Sequence, residues 1–398
     1  MNQRKVFVLI SKDALCTDYL PLYGKFPGQF ATPNIDELAS KGTVFTNYYC
    51  AAPSTVMAFY SMGTGQFAHE TDFQMYERCG FDFKAPTLFT RLKDLGYEER
   101  HIVWDEDWGF LPEYFDYFHN DVKIHNIDGF RERVSFHKKG DGIVTHDDAK
   151  AEEVLEMIKG ILDNLLNTDK NVFIWLHLPH VVRGRAGYGS DIDIFDKYVG
   201  MVRSLVPDSC IALTADHGNL NGFRGKLAYG FDVYNRAARI PLITPKIDGL
   251  EKCSTNVSSV DLFTILFEHK IPEREFIYCD TAYRAQKSRK LAIIYKNYKY
   301  IYTKRTGQEE LYDLAYDPNE QFSLIEDKTF DPDRKLYVVS SEEYHYPYWS
   351  SLPVIREKMR KEKNRIWRKG DFKVVLKSNL KDLLRPLYDR YIRWIGKI

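Results

Sequence analysis

The hydrophobic positions of the chain follow two patterns. Continuous apolar runs occupy Val6–Ile10, Asn171–Leu178 and Ser209–Ala215, as expected of strands buried on both faces of a parallel sheet. The segments between them have helical patterns, at Asn34–Lys41, Thr87–Leu95, Ala149–Leu166 and Asp193–Leu205. This alternation predicts an α/β fold, a three-layer α/β/α sandwich around a mostly parallel sheet.

The pattern changes in the C-terminal third. Alternating aromatic residues and a Thr-Gly turn within Lys290–Leu314 predict an antiparallel hairpin. Beyond Ile325 the chain is rich in Tyr and charge, and then basic. We therefore predict an α/β domain over residues 1–256, a smaller α+β subdomain over 257–326 and a basic extension over 327–398.

The charge is balanced overall but uneven along the chain. Lys+Arg and Asp+Glu both number 56 in 398 residues, which argues against a globally basic nucleic-acid binder. Residues 351–398 hold 15 Lys and Arg against 5 Asp and Glu, so the first 350 residues hold 41 against 51. An acidic body therefore precedes a basic tail.

The cysteines and the lengths of the apolar runs indicate the cellular compartment of the protein. The six cysteines are far apart and form no CxxC motif, which favours free thiols in a reducing compartment. The apolar run near the N-terminus is too short for a signal peptide, and no run approaches the ~20 residues of a membrane-spanning helix. We expect a cytoplasmic protein.

Polar residues follow three of the predicted strands. Asp13 comes after the first, His180 after the second, and Asp216 and His217 after the third. Because the carboxyl ends of parallel strands meet at one edge of a sheet, Asp13, Asp216 and His217 should converge. Two carboxylates and an imidazole can hold a divalent cation if a fourth ligand is added. Each residue alone could instead be a helix cap or part of a surface turn.

Several segments resemble the sulfatase branch of the alkaline phosphatase superfamily in their order and spacing. They are VFVLISKDALCTDYLPLYG, ATPNIDELASKGTVFTNYY, LTADHGN, FDVYNRAARIPLI and ELYDLAYDPNE. The resemblance covers roughly Val6–Leu324. It implies a metal-dependent enzyme acting on a sulfate or phosphate ester.

The nucleophile position departs from that family's pattern. The family's sulfatases carry Cys-x-Pro-Ser-Arg, whose Cys becomes formylglycine. Counting from Phe45–Asn47 or from Thr64-Gly65 places the nucleophile at Thr55, and Val56–Phe59 lacks the Pro-Ser-Arg. A Thr here resembles the phosphoglycerol and phosphoethanolamine transferases and some phosphodiesterases of the superfamily, which implies a covalent phospho-Thr55 intermediate. Thr55 alone could be a helix N-cap, and Ser54 is the adjacent alternative.

The same resemblance implies one divalent metal ion, held by Asp13, Thr55, Asp216 and His217. Tyr229 replaces a His that two-metal relatives use. Mn²⁺ or Mg²⁺ is typical of the single-metal transferases, while Zn²⁺ or Ca²⁺ would tolerate the same ligands. A metal ion lowers the pKa of a bound hydroxyl and so activates it as a nucleophile.

Other polar residues match positions near the transferred group in the family. His180 would contact that group or protonate the leaving group, with neighbouring His177 either an alternative or simply packed. Lys226 resembles a family Lys in the loop after Asp-His-Gly-Asn. Arg183 and Arg185 could bind a phosphate or remain solvated.

The segment that grips sulfate in sulfatases is altered. Their GKWHxG should fall at Val103–Gly109, which reads VWDEDWG, so its Lys and His are missing. Three carboxylates would repel a sulfate but could receive an ammonium or sugar hydroxyls, and Trp104 and Trp108 could stack on a sugar or cation. An acidic surface loop is the alternative.

Together these features predict a metal-dependent phosphotransferase or phosphodiesterase for a lipid- or glycan-linked ester. A sulfatase without formylglycine and a non-catalytic binding protein of the same fold are the alternatives, and no nucleic-acid module is recognisable. In Lys381–Ile398, apolar residues three and four apart alternate with basic ones. This pattern suits a helix on an anionic membrane surface, at the inner face, or a terminal helix packed on the main domain.

Overall fold

The computed structural model describes residues 4–24, 30–70, 86–104, 122–127, 137–138, 144–145, 148–178, 188–226, 229–281, 289–325 and 347–366. In that part of the chain the strands are β1 (Val6–Lys12), β2 (Gly42–Phe45), β3 (Tyr48–Tyr49), β4 (Glu99–Trp104), β5 (Lys123–Asn126), β6 (His137–Lys138), β7 (Val144–Thr145), β8 (Val172–Leu178), β9 (Ile211–Ala215), β10 (Leu242–Pro245), β11 (Lys252–Cys253), β12 (Val257–Ser258), β13 (Ile277–Asp280), β14 (Lys290–Tyr295), β15 (Tyr298–Thr303) and β16 (Gln308–Asp313). The helices are α1 (Pro33–Lys41), α2 (Thr55–Thr64), α3 (Leu88–Asp94), α4 (Asp148–Leu166), α5 (Tyr188–Leu205), α6 (Asn235–Ala238), α7 (Leu262–Phe267) and α8 (352–366).

The central sheet has the strand order β11-β2-β10-β9-β1-β8-β4-β5. The strands from β9 to β5 run parallel, and β10 is antiparallel to both of its neighbours. β1 lies between β8 and β9, and its side chains after Val6 are buried, because helices cover both faces. The predicted α/β fold around a mostly parallel sheet is confirmed.

Helices pack on the two faces of this sheet. Aromatic rings of α2, α3 and α7 cover one face, with ring-centroid distances of 4.6 Å for Phe59–Trp175, 6.2 Å for Phe89–Phe173 and 5.0 Å for Phe7–Phe267. On the other face, buried Lys12 of β1 forms a 2.6 Å ion pair with Asp191 of α5. Helix α5 in turn packs against α1 and α4.

The C-terminal sheet has the order β13-β14-β15-β16 and is antiparallel throughout. The antiparallel hairpin predicted over Lys290–Leu314 is present around the Thr-Gly turn, but the segment also holds a third strand. The turn that the sequence reasoning missed lies between Tyr295 and Tyr298, where Lys296 has a φ of 54°. The Thr-Gly turn joins the second and third of these strands.

Helix α8 packs on this antiparallel sheet. Its Leu352, Met359 and Ile366 share an apolar cluster with Tyr278 and Ile293. Arg360 binds Glu309 of β16, with Nε 2.7 Å from Oε1. The domain limits at 256 and 326 stay predictions. No helix among the described residues is long and apolar enough to cross a membrane.

Buried charges join the two sheets. Asp232 of the main domain is fully buried and binds Lys290 of β14, with Oδ2 2.5 Å from Nζ. Lys299 of β15 binds Glu320 at 2.8 Å, and both side chains are buried. Because an unpaired charge in such a place is costly, these pairs specify how the C-terminal sheet meets the main domain.

Candidate active site and metal centre

Two neighbouring strands deliver the carboxylates of the site. Asp13 follows β1 and Asp216 follows β9, at matching positions, because Lys12 pairs with Ala215 in the parallel register. Both carboxylates are buried. The Oδ1 atom of Asp216 accepts the backbone N–H of Ala14 at 3.0 Å and that of His217 at 2.7 Å, which fixes the orientation of this carboxylate. The predicted convergence of Asp13 and Asp216 is therefore seen in the structure.

The imidazole of His217 lies between these carboxylates. Its Nε2 is 3.5 Å from Oδ1 of Asp13 and 3.4 Å from Oδ2 of Asp216. Its Nδ1 lies 2.8 Å from the carbonyl oxygen of Gly218. Because a carbonyl can only accept, Nδ1 carries a proton, which leaves Nε2 as the nitrogen that could bind a cation.

The backbone after His217 needs a glycine. A Cβ atom on Gly218 would lie 2.0 Å from the carbonyl oxygen of Arg236. The Gly218 N–H donates to the carbonyl oxygen of Ala237 at 2.9 Å. This close approach brings the carbonyl of Gly218 to the imidazole and so holds the ring of His217 in place.

Thr55 adds a hydroxyl to this cluster. It is the first residue of α2, and its Oγ1 lies 3.1 Å from Nε2 of His217. The N-cap position belongs to Ser54, whose side chain makes no capping hydrogen bond. Thr55 is therefore not the helix cap, and the positive end of the helix dipole lies at its hydroxyl.

The three buried groups fit a divalent cation. One ligand atom each from Asp13, Asp216 and His217 lies within 4.8 Å of the others. Three carboxylate oxygens have no hydrogen-bond partner within the described ranges. They are both oxygens of Asp13 and Oδ2 of Asp216. Two buried carboxylates side by side require positive charge. Carboxylate, imidazole and hydroxyl ligands suit Mn²⁺, Mg²⁺ and Zn²⁺ alike.

Phe59 occupies the place where the sulfatase pattern has its Arg. It lies one helical turn after Thr55 and is 1% exposed. Its ring stacks on Trp175 at 4.6 Å and meets the edges of Trp104 and His177 at 5.3 and 4.7 Å. The position that the resemblance aligns with the Arg is thus held by an apolar ring packed in an aromatic cluster.

Trp104 belongs to the same buried cluster. It is 2% exposed, and its ring stacks on His177 at a centroid distance of 4.8 Å. The prediction that Trp104 stacks on a sugar or cation was wrong, because its ring is buried. Trp108 lies outside the described residues.

Lys226 forms an ion pair with a buried carboxylate. Its Nζ binds the buried carboxylate of Asp232, which also binds Lys290. Burial raises the pKa of Asp232, but Lys290 and Lys226 together hold it below its usual value. In the part of the chain that the structure describes, no hydrogen bond or ion pair joins Lys226 to Asp13, Asp216 or His217.

Some predicted residues cannot be placed. His180, Arg183 and Arg185 lie in 179–187, outside the described residues. The tail after 366 lies outside them too. The predicted roles of His180 and of the tail therefore stay predictions.

Sequence reasoning missed two neighbours of the cluster. Ser11 binds His177 beneath it, with Oγ 2.8 Å from Nδ1. Tyr229, noted only as a replacement for a ligand, lies over His217 with ring centroids 4.4 Å apart. Ser11 lies on β1 two residues before Asp13, and this nearness in the sequence was an available signal for the first.

The chain is similar to known sulfatases. Residues 5–181 match the sulfatase family model. The chain is 20% identical over 423 residues to the uncharacterized sulfatase YidJ of Escherichia coli K12, covering 82% of this chain and 84% of that protein. A solved 2-O GAG sulfatase, BT1596, superposes with a TM-score of 0.65 at 16% identity over 93% of each chain. The chain has the sulfatase fold.

This fold also serves phosphonate esters. The phosphonate monoester hydrolase of Agrobacterium radiobacter superposes with a TM-score of 0.62 at 13% identity, over 91% of this chain and 96% of that one. Because enzymes named for sulfate and for phosphonate esters share the sulfatase fold, the choice between substrates depends on the side chains of the site.

Proposed function

We propose that this protein is a metal-dependent phosphotransferase or phosphodiesterase that acts through a covalent phospho-Thr55 intermediate. The observation that carries the proposal is the position of the Thr55 hydroxyl, 3.1 Å from His217 Nε2 in a cluster with two buried carboxylates. A hydroxyl at a helix N-terminus and beside a cation site is in the right place for nucleophilic attack on an anionic ester.

The residues of this chain supply the nucleophile and orient it. Thr55 Oγ1 lies 3.1 Å from Nε2 of His217, and the carbonyl of Gly218 fixes the other nitrogen of that ring. Oγ1 forms a bond to phosphorus while the ester P–O bond breaks and the leaving oxygen takes up a proton. Water or an acceptor hydroxyl then attacks phosphorus and restores Thr55. A divalent cation held by Asp13, Thr55, Asp216 and His217 would supply a Lewis acid that lowers the pKa of the nucleophile and offsets charge on the ester.

The side chains around Thr55 favour phosphate over sulfate esters. The formylglycine precursor is absent, and Phe59 stands in place of the Arg of the sulfatase motif. Trp104, at the start of the altered sulfate-binding segment, is packed on His177. We infer that the ester is a phosphodiester, linked to a lipid or a glycan.

A sulfatase without formylglycine is the second candidate. The matching family model and the named sulfatases of the same fold favour it. A binding protein that keeps the fold without catalysis is the third. The buried Asp13, Asp216 and His217 beside Thr55 speak against it, because a binding role does not require all four.

Substrate preference separates these candidates. The purified protein, loaded with Mn²⁺, is assayed on bis-p-nitrophenyl phosphate and on p-nitrophenyl sulfate at equal concentrations. We expect release of p-nitrophenolate from the diester to be faster by a wide margin. Mass spectrometry of acid-quenched turnover should locate a p-nitrophenyl phosphate adduct on Thr55. Faster turnover of the sulfate would favour the second candidate, and no turnover of either ester would favour the third.

A further inference from the structure

A buried histidine, His177, lies on the strand next to the one that leads to Asp13. His177 of β8 stands beside Ser11 of β1 in the parallel register, and Ser11 Oγ is 2.8 Å from His177 Nδ1. Ser11 precedes Asp13 by two residues, and Asp13 is the first residue after β1. Two residues of an extended strand span about 6.6 Å. His177 is therefore joined to the strand that delivers Asp13.

The hydrogen bonds around Ser11 set the protonation of this histidine. Trp175 Nε1–H donates to Ser11 Oγ at 2.7 Å, and indole nitrogen can only donate. Buried Ser11 keeps its own proton, for which His177 Nδ1 is the acceptor. Burial lowers the pKa of His177 to about 3, Lys12 and His217 act in the same direction, and Asp13 opposes them. The imidazole is thus neutral at physiological pH.

The other side of the His177 ring touches the helix that carries Thr55. The ring meets Phe59 nearly at a right angle, with centroids 4.7 Å apart and 89° between the planes. Phe59 lies four residues after Thr55 and so projects from the same side of α2, one turn further on. Phe59 also stacks on Trp175 at 4.6 Å, which leaves it little freedom.

We propose that His177 is a positioning residue, which sets the Thr55 hydroxyl against the cluster by holding Phe59 on one side and Ser11 on the other. The inference rests on the proposed function of Thr55. A phenyl ring in this place would pack on Phe59 but leave the Ser11 hydroxyl without its acceptor. An amide would accept from Ser11 but leave Phe59 without its ring contact. An imidazole makes both contacts, the hydrogen bond with Ser11 and the ring contact with Phe59.

The test uses two variants, each of which keeps one of these contacts. His177→Phe keeps the ring and His177→Asn keeps an acceptor near the position of Nδ1. We expect each to lower kcat on bis-p-nitrophenyl phosphate by roughly 10- to 100-fold, with KM nearly unchanged, because a displaced nucleophile weakens the transition state rather than binding. Ser11→Ala should lower kcat in the wild type but have little further effect in His177→Phe.

A matched control separates positioning from general destabilisation. His101 is also buried on a strand of the same sheet, at 2% exposure, and its neighbour is His125 rather than Ser11 or Phe59. His101→Phe should lower the melting temperature yet leave kcat near that of the wild type. Equal losses of kcat in His101→Phe and His177→Phe would overturn the proposal.

A crystal structure of a variant tests the role of His177 independently of activity. In a crystal structure of His177→Phe, the distance from Thr55 Oγ1 to His217 Nε2 should exceed its wild-type value of 3.1 Å. If the distance and kcat stay unchanged while Thr55→Ala is inactive, the role of His177 is refuted and the proposed function stands. If Thr55→Ala is fully active, the proposed function fails, and the measured distance still decides whether His177 positions Thr55.

Discussion

Thr55 Oγ1 lies 3.1 Å from Nε2 of His217, although 162 positions separate the two residues in the chain. The contact joins the first turn of α2 to the loop that follows β9. Both residues are buried, so the geometry is held by packing rather than by surface loops. A change at either residue should therefore alter turnover, and the fold of each variant is checked beside its activity.

Replacing Thr55 with alanine should abolish turnover of bis-p-nitrophenyl phosphate, because it removes the attacking oxygen. Thr55→Ser keeps a hydroxyl and should retain a measurable rate. Ser54→Ala is the matched control, since the Ser54 side chain makes no capping bond. Steady-state kinetics and circular dichroism check these expectations. Wild-type turnover by Thr55→Ala would make Ser54 the next candidate.

Asp216→Asn should lower both cation content and kcat. The variant keeps the size of the side chain but removes one of the buried negative charges that a divalent cation needs. Calorimetric titration with Mn²⁺ and elemental analysis measure the effect, and we expect one ion per wild-type chain. Asp18→Asn is the control, because Asp18 is buried but binds Arg236 at 3.0 Å. Two tightly bound ions per chain would contradict the single-metal site.

Asp232→Asn should destabilise the protein by about 3 kcal/mol or more, because it leaves the charges of Lys226 and Lys290 around a buried amide. Asp163→Asn is the matched control, from the Lys159–Asp163 pair with side chains 38% and 48% exposed. It should cost less than about 0.5 kcal/mol. Urea unfolding of both variants measures the difference. Equal losses would show that the Asp232 pairs do not stabilise the junction of the two sheets.

The free energy of unfolding should fall as the pH is lowered from 6.5 toward 4. Burial lowers the pKa of His101 to about 4 from its ordinary 6.5, and His125 and Lys123 act in the same direction against Glu99. Between pH 6.5 and 4 the unfolded chain binds more protons than the folded chain. The free energy of unfolding therefore decreases as the pH is lowered. Urea titrations across this pH range measure the slope. His101→Gln should reduce the slope, part of which His177 also supplies because its pKa is lowered to about 3, and an unchanged slope would exclude His101 as a source.

The basic tail should bind anionic membranes if it forms the helix that its spacing predicts. Flotation with liposomes that contain phosphatidylserine tests this at low salt, where each basic residue near such a surface contributes about 1 kcal/mol. Truncation after Gly370 should abolish flotation and leave diester turnover intact. A full-length protein that stays unbound would assign the tail to packing on the main domain.

The sequence predicted those parts of the site that depend on local pattern. Apolar runs without alternation indicated strands buried on both faces, and the carboxyl ends of such strands meet at one edge of a sheet. Asp13, Asp216 and His217 were therefore expected to meet. Thr55 came from a motif and its flanks rather than from physics, and the structure places it beside His217.

Only the tertiary structure decided which side chains fill the space around that cluster. Ser11, His177 and Phe59 belong to segments far apart in the chain, and their contacts depend on strand register and on the distance between sheet and helix. The contact of Lys226 with buried Asp232 is likewise a product of tertiary packing, and its predicted role near the reacting group stays a prediction. Local sequence predicts strands, helices and the polar residues that follow them. The reason is that side chains return to the same face every two residues in a strand and every three or four in a helix. The partner of a buried side chain depends on packing between layers, which no local repeat encodes.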